Sequence, residues 1–153
     1  MRTLIDPRGP RFAATVTSLV LAAVLLTVPG PFATGLLALQ TAIFAAGAIA
    51  GVQYTPYAWL FRTQLRPRLG APGELEDAAP PRFAQAVGLG FALVGLAGLL
   101  TGVTTLGLVA VGFALAAALL NAATGFCLGC EVYLLLHRLD ATTRRLSLSK
   151  PTN

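Results

Sequence analysis

The sequence predicts an all-α integral membrane protein whose four transmembrane helices form two tandem helical hairpins. Three observations carry that prediction. The 153 residues are 56% hydrophobic and 11% charged, with a mean hydropathy of +0.74, whereas soluble domains carry about a quarter charged residues. Uncharged apolar runs of spanning length occur four times. The basic residues lie before, between and after the two pairs of runs and never inside them. The net charge of +5 does not point to nucleic acid, because no face interleaves aromatic and basic residues and the apolar runs are too long for such a domain. The expected partner of most of this surface is the lipid bilayer, in a single domain over residues 1–153.

Residues 1–11 contain Asp6, Pro7, Gly9 and Pro10 among three arginines and should be irregular. Residues 12–28 form the first span, at the short end of the roughly 17 to 25 residues a crossing helix needs. A cleaved signal peptide has a similar pattern, but the pattern recurs in mid-chain, so the segment is expected to be retained. Pro29-Gly30-Pro31 makes a turn. Residues 35–52 form the second span, with Gln40 as an interhelical hydrogen-bonding group and Gly47 and Gly51 at GxxxG spacing. Tyr54, Tyr57, Trp59 and Phe61, followed by Arg62, Arg66 and Arg68, mark a membrane boundary and a short interfacial helix after Pro56.

Residues 69–81 are polar and proline-rich and should be an aqueous loop. Residues 83–100 form the glycine-rich third span; Gly88-x-Gly90 lacks the third glycine of a dinucleotide loop. Residues 101–105 make an uncharged turn, and residues 106–125 form the fourth span, interrupted by Asn121. Apolar character continues to Leu136, too far for one untilted crossing. A break near Gly125 or Gly129 and a second interfacial segment would resolve this.

Two stretches recur. Asp6-Pro-Arg-Gly-Pro-Arg-Phe-Ala13 matches Asp77-Ala-Ala-Pro-Pro-Arg-Phe-Ala84, and Gly51 to Arg62 can be laid against Cys127 to Arg138 through Tyr57/Tyr133, Leu60/Leu136 and Arg62/Arg138. Repeat units of about 6–68 and 77–140 follow, each holding two spans and so sharing one orientation. The recurring Asp-x-x-x-Pro-Arg-Phe-Ala reads as a membrane-entry cap, with the arginine at the phosphates. All 11 basic residues lie at the N-terminus, the central segment or the C-terminus, and none in the two turns, so the positive-inside rule puts both termini and the central loop in the cytoplasm.

The chemistry-bearing motif is Cys127-Leu-Gly-Cys-Glu131, which holds both cysteines. Cys127 lies 21 residues beyond Leu106, about 31 Å along a helix, which reaches the membrane edge. If Thr124 caps a new helix, Cys127 falls in its first turn, where free amides favour a thiolate. Cys130, three residues on, is then close enough for a disulfide, and Glu131, as a partly buried acid, could relay a proton. Two inert cysteines in an apolar core are the plainer reading. A zinc site needs four ligands, and two cysteines with the single His137 do not supply them. His137 alone reads as a polar interfacial anchor.

Asp-Pro-Arg-Gly-Pro-Arg-Phe, Ala-Pro-Pro-Arg-Phe-Ala-Gln-Ala-Val-Gly and Phe-Cys-Leu-Gly-Cys-Glu together resemble the bacterial family called domain of unknown function 4395, over nearly the whole chain. The resemblance implies a four-helix protein of the bacterial cell membrane, from a family often found beside or fused to thioredoxin-like and sulfurtransferase proteins. It implies a thiol or sulfur context for Cys127 and Cys130 and brings no cofactor. The expected function is thiol/disulfide or sulfane-sulfur exchange with such a partner, with Cys127 attacking, Cys130 resolving, Glu131 beside them, and His137, Arg138, Arg144 and Arg145 near the docking surface. A non-catalytic membrane anchor or assembly subunit is the alternative, as is a small transporter subunit using Gln40, Gln85 and Asn121. Association into homo-oligomers is expected from four short, glycine-rich helices.

Overall fold

The computed structural model describes the backbone of residues 3–148 and the side chains through residue 141, and 81% of it is helical. The long helices are α1 (Arg8–Thr27), α2 (Pro31–Ile49), α5 (Ala79–Leu100) and α6 (Thr104–Thr124), and these four are long and apolar enough to cross a membrane. Short helices α3 (Pro56–Leu60) and α4 (Arg66–Leu69) flank a wider helical turn over Phe61–Leu65, and α7 (Leu128–Leu148) follows α6.

Local chemistry sets the helix starts. Asp6 Oδ1 accepts from Arg8 N at 3.0 Å and opens α1, and Asp77 Oδ1 accepts from Ala79 N at 2.9 Å and opens α5. Each carboxylate satisfies an amide that the first helical turn leaves without a partner. Pro31 begins α2, where its missing N–H costs nothing.

The four long helices close a ring in which α1 packs on α2 and α6, and α5 packs on α2 and α6. Leu21, Val24, Leu37, Phe44, Ala92 and Val111 fill its centre. Glycine permits the closest approach, since a Cβ on Gly98 of α5 would lie 2.6 Å from the Gly107 nitrogen of α6. Gln40 is fully buried, donating to Thr17 Oγ1 at 3.5 Å and accepting from the Tyr57 hydroxyl at 2.7 Å, so it links α2 to α1 and α3. Only 17% to 39% of the most apolar stretch of each long helix is buried, and the rest needs a non-aqueous neighbour.

The recurring arginines bridge the hairpins. Arg11 donates to Ala122 O at 3.1 Å and Ala123 O at 2.9 Å, at the end of α6. Arg82 donates to Ala48 O and Ile49 O, both at 2.7 Å, at the end of α2. The guanidinium groups therefore answer carbonyls that lack an intrahelical donor, where the sequence suggested lipid phosphates.

Other expectations are corrected in detail. The helices start about four residues before three of the apolar runs because the capped Arg- and Pro-containing segments are already helical. The N-terminal stretch is not wholly irregular: β1 (Leu4–Ile5) pairs antiparallel with β2 (Glu76–Asp77) of the supposed open loop, Leu4 opposite Asp77 and Ile5 opposite Glu76. The second span stops at Ile49, so Gly51 lies in the following turn and not on a GxxxG face, while Gly47 meets the Gln85 side chain.

Candidate functional site

The cysteine pair sits where α6 gives way to α7. Gly125 takes φ 78°, a left-handed conformation natural to glycine, and its N–H closes α6 on Asn121 O at 2.8 Å. Thr124 is the last residue of α6 and accepts from Phe126 N at 3.0 Å; it does not cap α7. Cys127 does: its carbonyl accepts from Glu131 N at 3.0 Å and its Sγ accepts from Cys130 N at 3.3 Å. The sulfur thus lies at the amide end of a helix, which favours its anionic form whenever the thiol is free.

Cys127 and Cys130 lie with their sulfurs at disulfide distance and their Cα atoms 5.2 Å apart, within the range a disulfide requires. Both are half-buried. Glu131 is exposed on α7, so the expected partly buried acid beside the sulfurs is not formed. His137 and Arg138 are also exposed. The His137 ring lies 4.4 Å from that of Tyr133, about 10 Å along α7 from Cys130, so it does not join the cysteine pair. Arg144 and Arg145 belong to α7, but their side chains lie outside the described residues.

Thr55 stands before α3, its Oγ1 accepting from Ala58 N at 3.2 Å. Phe61 packs on Phe12 with ring centres 5.9 Å apart, and Tyr133 packs on Phe83 at 5.8 Å.

Two cavities flank these helix starts. One, about 330 Å³, lies among α1, α5, α6 and α7 and is lined by Cys127, Thr17, Gln85 and Asn121 among apolar side chains. The other, about 300 Å³, lies among β1, α1, α3 and α5 and has Thr55, Asp6, Gln53, Arg62 and Arg66 in its wall. Gln85 borders both, and the Oε1 atoms of Gln85 and Gln53 are buried without a hydrogen-bond partner among the described residues. Neither cavity was foreseeable, since helix packing across the hairpins creates them; the polar Gln85 inside an apolar run was the available signal.

Burial tends to raise the Asp6 carboxyl, but hydrogen bonds from Arg8, with the charges of Arg8 and Arg66, outweigh it and hold the group below the ordinary carboxylate value. Burial pushes the Tyr57 hydroxyl up, keeping it a donor to Gln40. Among the described residues, no three His, Cys, Asp or Glu side chains gather as a metal site would require.

A family model described as domain of unknown function (DUF4395) matches residues 5–138, which include the four long helices and the cysteine pair. No curated protein and no solved structure matches the chain.

Proposed function

The chain belongs to the domain of unknown function 4395 family, and from that premise we propose that it is a membrane-embedded dithiol protein. It exchanges electrons or sulfane sulfur with a thioredoxin-like or sulfurtransferase partner at the cytoplasmic face of the bacterial cell membrane. One observation carries this reading: Cys127 caps α7 through its own sulfur, with Cys130 within bonding distance. The Cys127 thiolate attacks a partner disulfide, expelling one partner thiolate and leaving a mixed disulfide. Cys130 then attacks Cys127 Sγ, closing the internal disulfide and releasing the second thiolate. Run backwards, the same steps oxidise a partner dithiol.

The scaffold is read as a duplicated hairpin with its halves related about the membrane normal. Support comes from the matched caps of Asp6 and Asp77, the reciprocal bridges of Arg11 and Arg82, and the matched helix starts at Thr55 and Cys127. In this reading α3 and the first part of α7 lie at the interface, and only the second half carries thiols.

The test is capture in membranes. Cys130→Ser should hold a partner as a reductant-sensitive adduct on Cys127, and Cys127→Ser should hold none. The second reading, a non-catalytic anchor, is favoured by the exposed position of Glu131, which leaves the pair without an adjoining acid. It predicts that both variants co-purify with the partner and complement a deletion as wild type does; that result would replace the exchange reading.

A further inference from the structure

The cavity beside the cysteines differs in kind from its counterpart beside Thr55. Among the described residues its walls hold no lysine or arginine, whereas Arg62 and Arg66 line the other. A phosphate-bearing cofactor such as a nicotinamide or flavin nucleotide therefore finds no countercharge next to Cys127. The apolar lining residues Val87, Phe113 and Val132 are exposed on the outer surface of the helices, so the cavity adjoins the side of the bundle that meets lipid. At about 330 Å³ it falls at the lower end of the roughly 300 to 1,000 Å³ usual for small-molecule sites.

We propose that this cavity receives the ring of a lipid-soluble quinone and that the quinone accepts the electrons of the Cys127–Cys130 dithiol. The inference rests on the exchange reading given above and identifies the second substrate of that same site. Three features select a quinone over a lipid chain. Cys127 borders the cavity and Cys130 does not, so the sulfur capped by the helix amides is the one a ring would meet. The Asn121 side chain, which makes no hydrogen bond within the described residues, supplies an amide donor for a ring carbonyl. Gln85, which also lines the cavity, adds a second side-chain amide to its otherwise apolar wall. A saturated chain would use neither amide.

The electrons balance. The Cys127 thiolate adds to a ring carbon, forming a C–S bond and moving an electron pair onto a ring oxygen. Cys130, deprotonated, attacks Cys127 Sγ; the S–S bond forms, the C–S bond breaks, and its pair returns to the ring. The two thiol protons end on the ring oxygens. One dithiol and one quinone give one disulfide and one hydroquinone, and a partner dithiol then reduces the disulfide again.

The experiment uses the full-length, reduced protein in lipid nanodiscs, mixed with decylubiquinone, following both quinone absorbance and free thiols. The wild-type protein should reduce one quinone per dithiol oxidised. Ala117→Phe, which places a ring in the cavity, should slow this by about tenfold or more while its disulfide is still reduced by dithiothreitol at the wild-type rate. Photolabelling of the wild-type protein with an azido-quinone gives a reading independent of that variant's folding, with adducts expected on cavity residues of α5 and α6. Wild-type dithiol that is unreactive to quinone, equal rates in Ala117→Phe, or adducts confined to the outer lipid-facing surface would each overturn the quinone site. If Cys130→Ser still captures its partner in that event, the exchange reading stands and only the quinone falls; if capture fails too, both fall.

Discussion

Cys127 and Thr55 serve the backbone identically, each accepting the N–H three residues on, and they differ only in what else the capping atom can do. The Cys-x-x-Cys spacing was legible in the sequence; the capping position was not, because it depends on Gly125 turning left-handed and ending α6 before Phe126. Asp6 is a second cap with a measurable signature. Its carboxyl is held below the ordinary value of 3.8 by Arg8 despite its burial, so its stabilising contribution is fully present above that value and is lost as pH falls through the lower folded value. Thermal unfolding in detergent should show the wild-type protein losing stability from about pH 4 downward. Asp6→Asn should be less stable at neutral pH and lose less on acidification. An unchanged acid limb in that variant would show that the Asp6–Arg8 pair contributes nothing.

At the level of elements, the four long helices were legible because each carries an unbroken apolar run of spanning length, but their ends were not. Arg8, Arg11 and Arg82 look like boundary residues in one dimension and prove to be helical in three, because each finds carbonyl or carboxylate partners beyond its own turn. Arg11 and Arg82 join helix ends more than thirty residues away, a relation for which composition and periodicity carry no signal. Hydrogen bonds to a charged group contribute about 1.5 to 3 kcal/mol each at sheltered sites, but these bridges are exposed, and solvent screening takes each two-pronged contact below that range. Arg11→Ala and Arg82→Ala should each lower unfolding stability by about 1 kcal/mol. Lysine at either position should restore only part of it, since a single ammonium cannot reproduce the two-pronged contact. The losses should add in the double variant, because the arginines close different helices; strong non-additivity would mean that the two bridges hold one shared element.

For the molecule as a whole, the ring of helices gathers its charge at one end. Arg8, Arg11, Arg62, Arg66, Arg68, Arg82 and Arg138 lie at or near the end formed by the start of α1, the end of α2, the start of α5 and the end of α6. The turns at the opposite end, 28–30 and 101–103, contain no charged residue. Short loops rich in lysine and arginine stay in the cytoplasm during insertion, so the cysteine pair, placed at the charged end by the break after α6, should face the reducing side. Single cysteines introduced into a protein lacking Cys127 and Cys130 test this directly. Gly73→Cys, in the exposed central loop, should react with a membrane-impermeant maleimide only after cells are opened. Thr101→Cys, in the far turn, should react in intact cells. The reverse pattern would place Cys127 and Cys130 on the oxidising face, where the partner would be an extracytoplasmic protein and the cytoplasmic thioredoxin-like partner would be excluded by geometry.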